Sequence, residues 1–259
     1  MISIKSQREI DIMSESCQLA AKTLNYIADK LEIGMSTEDV NKLCHDFIIA
    51  NDAYPSPLNY HGFPKSVCTS LNEVICHGIP SHKDKLKNGD ILNIDVTTYF
   101  KNFHGDTNRT FFIGDVDPKI KKLVAVTYKC MMEGIAVCRP GARTGDIGAV
   151  IEEIAQANGY SVVHEYCGHG IGREFHEEPQ ILHYGKRGTG VEMKTGMTFT
   201  VEPMINLGKR HCKLLKDDWT VITKDKKPSA QFEHTIVITE DGYRILTLDP
   251  ENPYDPNFD

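Results

Sequence analysis

The 259-residue chain has no surplus of basic residues: 29 Lys and Arg stand against 36 Asp and Glu, for a formal charge of −7. A nucleic-acid backbone or an anionic membrane is therefore a poor main partner for its surface. Basic runs such as Lys83 to Lys87 and Lys224 to Lys227 alternate with acids and read as solvated loops. No apolar run approaches the ~18 residues of a membrane-spanning helix. The N-terminus, MISIKSQREIDIM, has neither the apolar stretch nor the cleavage site of a secretory signal. Together these absences predict a cytosolic protein. The cysteines (17, 44, 68, 76, 130, 138, 167, 212) include no CxxC and no close pair, so they read as reduced thiols, mostly small core residues. What is left is an ordinary globular composition, long enough to bury a full core in one large domain or two halves packed as one unit.

Apolar residues at Ile10, Met13, Cys17, Ala20, Leu24, Ile27 and Leu31 recur every three or four positions, predicting an amphipathic helix over Ser6 to Lys30 that stops by Gly34. Thr37 is the expected cap of a second helix, with Glu38 and Asp39 in its first turn. A loop rich in Pro, Asn and Gly, SPLNYHGFPKS, precedes a predicted strand near Val67 to Thr69. From Pro118 the pattern starts over, with one helix to about Val137, a break at Arg139-Pro140-Gly141, and another helix capped by Thr144 that runs to Asn158-Gly159.

Between these helix pairs lies NIDVTTYFKNFHGDTNRTF, read as a β-hairpin turning near Lys101 and Asn102. A loop at Phe100 and Lys101 sets Asp95 opposite Asp106, and one at Lys101 and Asn102 sets them on a diagonal. Both registers put the two carboxylates on one face. Aspartates on a strand more often face solvent. Here both sit inside apolar runs, Ile91 to Ile94 and Thr110 to Ile113, which argues that they are held together inside. Like charges so placed share a proton or bind a cation.

A shift of 107 lays Gly34, Thr37, Asp39, Val40 and Leu43 over Gly141, Thr144, Asp146, Ile147 and Val150, and LKNGDILNID (86 to 95) over MKTGMTFTVE (193 to 202). Two matches at one offset argue for an internal repeat of two similar halves, about 1–115 and 116–259. Glu202 then stands in the second half where Asp95 stands in the first. In QFEHTIVI, read as a strand, Glu233 alternates with Gln231 and Thr235 on the polar face and parallels Asp106. The Gly-rich segment HEYCGHGIGREFHEEP offers His164, His169 and His176, with little side-chain bulk around His169. Four carboxylates and an imidazole suit a pair of hard to borderline divalent ions ~3.5–4 Å apart. A metal-free pair of acid–base aspartates is the competing reading, and it leaves His169, Glu202 and Glu233 without a purpose.

These motifs, YCGHGIGREFHEEPQILHY (166 to 184), DVTTYFKNFHGDTNRTF (95 to 111), YHGFPKSVCTSLNEVICHGIP (60 to 80), FTVEP (199 to 203) and SAQFEHTIVIT (229 to 239), closely resemble those of the type I methionine aminopeptidases. The resemblance implies an α+β pita-bread fold, a single catalytic domain of two pseudo-symmetric halves with antiparallel sheet lined by helices, and no N-terminal extension before the first helix. It further implies a hydrolase that removes the initiator methionine from new chains with a small second residue, using a hydroxide that bridges two divalent ions (Co2+, Mn2+, Fe2+ or Zn2+). By resemblance Asp95, Asp106, His169, Glu202 and Glu233 are the metal ligands, with Asp106 and Glu233 bridging. Glu202 takes the proton from the nucleophile, His176 polarises the scissile carbonyl, and His77 contacts the scissile nitrogen. The methionine pocket falls to Tyr60, Phe63, Cys68, His77, Phe175 and Trp219, the only tryptophan. Phe63 and Pro57 depart from the Tyr and Cys of many relatives. A monovalent cation near Asn72, Val74 and Ser229, nascent polypeptide N-termini at the ribosome as partner, and a monomer in the cytoplasm complete what the family implies. Proline-directed relatives (prolidase, Xaa-Pro aminopeptidase) share the five ligands but carry a large extra N-terminal domain. Metal-free binding modules of the same fold typically lose ligands, and this chain keeps all five.

Overall fold

The computed structural model describes residues 2–253, 256 and 258. Its α-helices are α1 (Gln7–Ala28), α2 (Thr37–Ala50), α3 (Pro118–Ala136) and α4 (Thr144–Ala157). The caps of α2 and α4 differ from expectation by one residue. Ser36, not Thr37, caps α2, because its Oγ accepts the Asp39 N–H while the Asp39 carboxylate takes the Ser36 N–H at 2.9 Å. At α4 the Arg143 N–H donates to Asp146 Oδ2 at 2.8 Å. The acid at the third helical position thus selects the residue three before it. Thr144 Oγ1 instead accepts the Val191 N–H.

The same backbone bonds hold the starts of α2 and α4. The Gly34 N–H donates to Leu86 O as Gly141 does to Met193 O, and Thr37 to Asp84 O as Thr144 does to Val191 O. The Leu86 N–H likewise returns to Met35 O as Met193 returns to Ala142 O. An offset of 107 residues that aligns the sequence therefore also aligns this hydrogen-bond pattern. The apolar interior divides in a similar way. Leu24, Ile27, Val40, Cys44, Leu92, Ile94 and Val96 form one cluster, and Leu123, Met131, Ile147, Ile151, Phe199, Val201 and Ile236 belong to another.

The long hairpin, Asp90–Phe100 and Phe103–Ile113, turns at Lys101 and Asn102, both left-handed (φ 52° and 66°), as the twist-compatible two-residue turn requires. Of the two registers open from the sequence, the diagonal one is adopted: Asp95 faces Asn108, and Thr97 faces Asp106. The strand Cys68–Leu71 pairs along the other edge of Asp90–Phe100 and sets Cys68 beside Asp95. In a five-stranded sheet the order is Tyr243–Ile245, His234–Ile238, Thr198–Val201, Gly168–Gly170, Glu177–Ile181. All strand pairings among the described residues are antiparallel.

The segment QFEHTIVI is not one strand. Ser229–Gln231 pairs with Met204–Asn206 and His234–Ile238 with Thr198–Val201, while the Glu233 N–H between them crosses to Asn108 O at 3.2 Å. That jump ties the second half's sheets to the first half's hairpin. On the hairpin's other side, α1 lies directly on the backbone: Ser16 Oγ donates to Thr98 O, and Thr98 Oγ1 to Ser16 O at 2.9 Å.

Gly105 makes this approach possible, since a Cβ there would stand 2.4 Å from Cys17 N and 2.5 Å from its Cα. Gly105→Ala is predicted to lower the unfolding free energy by about 3 kcal/mol, the upper end of the overpacking range, because the obstacle is backbone that cannot rotate away. Urea denaturation measures this, and a loss under about 0.5 kcal/mol would show that α1 does not rest on the hairpin at this residue.

Candidate metal centre

Hairpin, sheet junction and Gly-rich strand converge on one cavity of about 530 Å³. Asp95 and Asp106 reach it from the hairpin, His169 from Gly168–Gly170, Glu202 from the end of Thr198–Val201, and Glu233 from the junction between two strands. His169 can enter because its flanking glycines lie against carbonyls. A Cβ at Gly168 would come within 2.5 Å of Thr200 O, and one at Gly170 within 2.2 Å of Glu178 O. His164 is not part of this site; it stacks on Tyr184 with ring centroids 3.6 Å apart.

Three of the acids, Asp106, Glu202 and Glu233, are gripped by neighbouring side chains. Thr97 Oγ1 donates to Asp106 Oδ1 at 2.6 Å, Asn108 Nδ2 to Glu233 Oε2 at 2.8 Å, and Thr200 Oγ1 to Glu202 Oε1 at 2.7 Å. Asn108 is in turn held by Asn93, whose Nδ2 donates to Asn108 Oδ1 at 2.9 Å. Two further oxygens, Asp95 Oδ1 and Glu233 Oε1, are buried and lack a hydrogen-bond partner. His169 Nδ1–H donates to Gly170 O at 2.9 Å, so Nε2 carries a free lone pair, 3.6 Å from both Asp106 Oδ2 and Glu202 Oε1. Ligand atoms of Asp106, His169 and Glu233 lie within 4.8 Å of one another.

Burial pushes the carboxyl of Asp95 up to about 7 and that of Glu202, which also feels Asp95, to about 8. Asp106 and Glu233 are raised further by burial and then by the neighbouring acids. Burial also holds the His169 imidazole down to about 4, so near neutral pH it is uncharged and offers no compensation. Left to itself, the cluster retains protons. Unpaired buried oxygens, a neutral imidazole and mutually repelling acids form a donor set that divalent cations fit.

The same cavity has an aromatic side. Phe63 and Trp219 meet edge to face at 5.1 Å, His77 lies against Trp219 and Tyr166, and Tyr60 against Phe175 at 4.8 Å. Tyr60 OH is 2.8 Å from His176 Nδ1. Cys68 and Pro57 complete this wall, and the twelve residues expected at the metals, the reaction and the methionine pocket all line one cavity. Thr97, Asn108, Thr200 and Gln231, which hold the acids, were not singled out. For Thr97 and Asn108 a signal existed, since both share the strand face of Asp95 and Asp106. Burial holds the His77 ring down to about 4, and it too is neutral near pH 7.

A family model described as metallopeptidase family M24 matches residues 11–240. The methionine aminopeptidase of Rickettsia prowazekii (strain Madrid E) is 54% identical over 251 residues, covering 96% of each chain. That of Escherichia coli (strain K12) is 49% identical over 248 residues, 95% of this chain and 94% of the relative. A crystal structure of the Rickettsia prowazekii enzyme superposes with a TM-score of 0.94, covering 96% of this chain and 100% of the other. The prolidase of Pyrococcus horikoshii OT3, 23% identical, shares the fold at a TM-score of 0.74; 94% of this chain matches 63% of that one. The sheets, the cavity and these likenesses agree: the chain has the pita-bread fold and belongs to metallopeptidase family M24, among relatives that are methionine aminopeptidases.

Proposed function

We propose that the chain is a methionine aminopeptidase that removes the initiator methionine from new polypeptides with a small second residue. The observation that carries this reading is the cavity itself, in which buried acid oxygens without donors stand beside an apolar aromatic wall. Relatives of about half identity over nearly the whole chain carry that activity in their names. In this reading residues 1–259 form one catalytic unit whose halves meet near 115, and it acts as a cytoplasmic monomer on chains emerging at the ribosome.

Asp95, Asp106, His169, Glu202 and Glu233 would hold two divalent cations. When bound, such ions neutralise the acids, receive the substrate's α-amine and supply a water acidic enough to attack at neutral pH. The protein does the rest. Glu202, restrained by Thr200 and Gln231, accepts the nucleophile's proton. His176, braced by Tyr60, donates a hydrogen bond to the scissile carbonyl as it becomes an oxyanion. His77 faces the leaving nitrogen. Phe63, Trp219, Tyr60, Phe175 and Cys68 exclude water from around the methionine side chain. Phe63 brings no hydroxyl, which leaves that wall apolar. A monovalent cation beside Asn72, Val74 and Ser229 is part of the same reading; Asn72 is left-handed there (φ 50°), and its carbonyl accepts the Ser229 N–H at 2.9 Å.

Chelator-stripped protein given Met-Ala-Ser is expected to release methionine only after Mn2+ or Co2+ is added, with Asp106→Ala inactive under both. Release from Ala-Pro-Ala alone would move the chain to the proline-directed branch, and inactivity on both peptides with every metal would overturn the peptidase reading. His176→Ala should reduce kcat by about 100- to 1,000-fold, the usual loss for one oxyanion donor, with KM little changed; a KM effect alone would reassign His176 to binding.

The acids also fix a pH dependence. Folding raises their pKa values, so the metal-free native state binds more protons than the unfolded chain, and stability falls as pH rises through that window. Metal-free Tm should therefore drop between roughly pH 4, the unfolded carboxylate range, and pH 8. Mn2+ should restore more Tm at pH 8 than at pH 5. A metal-free Tm that climbs over this range would mean the four acids are not buried together.

A further inference from the structure

Glu202 stands where the sheet runs out of backbone partners. Thr198–Val201 pairs with His234–Ile238 on one side as far as Val201, and on the other it meets Gly168–Gly170 only at Phe199. The residue after Glu202 is Pro203, which has no N–H and confines Glu202 to extended conformations. The next strand begins at Met204. A buried amide at such a gap needs an acceptor from elsewhere.

The acceptor is His183. Its Nε2 takes the Glu202 N–H at 3.1 Å, and the side chain is fully buried. Because Nε2 accepts, Nδ1 carries the proton, and Nδ1 has no partner of its own. A buried imidazole left with one nitrogen unsatisfied is costly to keep for packing alone, since an apolar side chain would fill the space without that cost. His183 follows the strand Glu177–Ile181, which pairs Gln180 with His169 and Ile181 with Gly168. One segment therefore holds the backbones of both His169 and Glu202. Opposite, Gln231 Nε2 donates to Glu202 O at 3.3 Å, so side chains rather than a ladder hold both backbone groups of this residue.

We infer that His183 is a positioning residue for the metal centre: by accepting the Glu202 N–H it sets the backbone from which the Glu202 carboxylate reaches the cations. This rests on Glu202 being a ligand, as proposed above. His183 touches neither metal nor substrate and acts through Glu202. Outer contacts of this kind commonly govern metal affinity by about 10- to 100-fold.

His183→Gln and His183→Asn separate positioning from packing. Both are polar and buried, but only Gln sets an acceptor as many bonds from Cβ as Nε2 lies in His. Titration calorimetry with Mn2+ on chelator-stripped protein, and visible absorption of the Co2+-loaded form, read the site without turnover. His183→Asn is expected to weaken at least one ion by 10-fold or more and to alter the Co2+ spectrum, with far-UV circular dichroism unchanged. His183→Gln should remain within about 3-fold of the parent. His183→Leu, which removes the acceptor altogether, should behave like Asn. Parent-like metal binding by folded Asn and Leu variants would overturn the inference while leaving the peptidase reading intact, as would equal impairment of Gln and Asn. A parent protein that binds no divalent ion would instead remove the reading on which it rests.

Discussion

Mutual repulsion among four acids in one closed space is the constraint around which this molecule is built. Asp95, Asp106, Glu202 and Glu233 are brought together where burial raises every carboxyl, and neighbouring acids raise those of Asp106, Glu202 and Glu233 further. An isolated chain has no reason to make such a cluster, since ionised carboxylates in an apolar setting cost far more than they return. The arrangement becomes reasonable when positive charge is supplied, and the neutral imidazole of His169 is no such source. Burial in the apolar clusters offsets the cost of assembling this donor set, which divalent cations would complete.

Geometry shows how the cluster is kept from relaxing. Three of the four acids are fixed by side-chain donors. Thr97 engages Asp106, Asn108 engages Glu233, and Thr200 and Gln231 engage the two oxygens of Glu202, while Asp95 Oδ1 and Glu233 Oε1 stay buried without partners. These contacts are themselves anchored, as Asn93 is to Asn108 and to Gln231 O. Such a supporting layer fixes direction as well as position, and both matter for ligands to a metal.

The two halves contribute differently to this site. In the first, a regular hairpin with a two-residue turn delivers both aspartates from a continuous ladder. The second breaks its ladder at both acids: Glu202 precedes a proline, and Glu233 bridges two strands by donating its N–H to Asn108 O across the interface. These breaks leave backbone groups for side chains such as His183 and Gln231 to satisfy. The aromatic side chains of Phe63, Trp219, Tyr60 and Phe175 line the same cavity as these acids.

Much of this was legible in the residues because it depends on short-range order. Period-two alternation put Asp95 and Asp106 on one face in either register, helical periodicity located α1 to α4, and the shift of 107 equated Glu202 with Asp95 before any contact was known. The sequence pattern points one residue late for the cap of α2, to Thr37 instead of Ser36, because Thr37 is an equally good capping type and only the reach of Asp39 distinguishes them. Family motifs, more than local physics, marked His77 and the pocket wall, since no local pattern distinguishes a histidine at a cavity from one in a core. Sequence by itself thus determined which acids are paired and which helices repeat, because both follow from periods set by backbone geometry. The tertiary structure alone decided the diagonal register, the break at Glu233, and the donors to Asp106, Glu202 and Glu233. These depend on residues such as Asn93 and Gln231, 138 positions apart, meeting across an interface that no local pattern encodes.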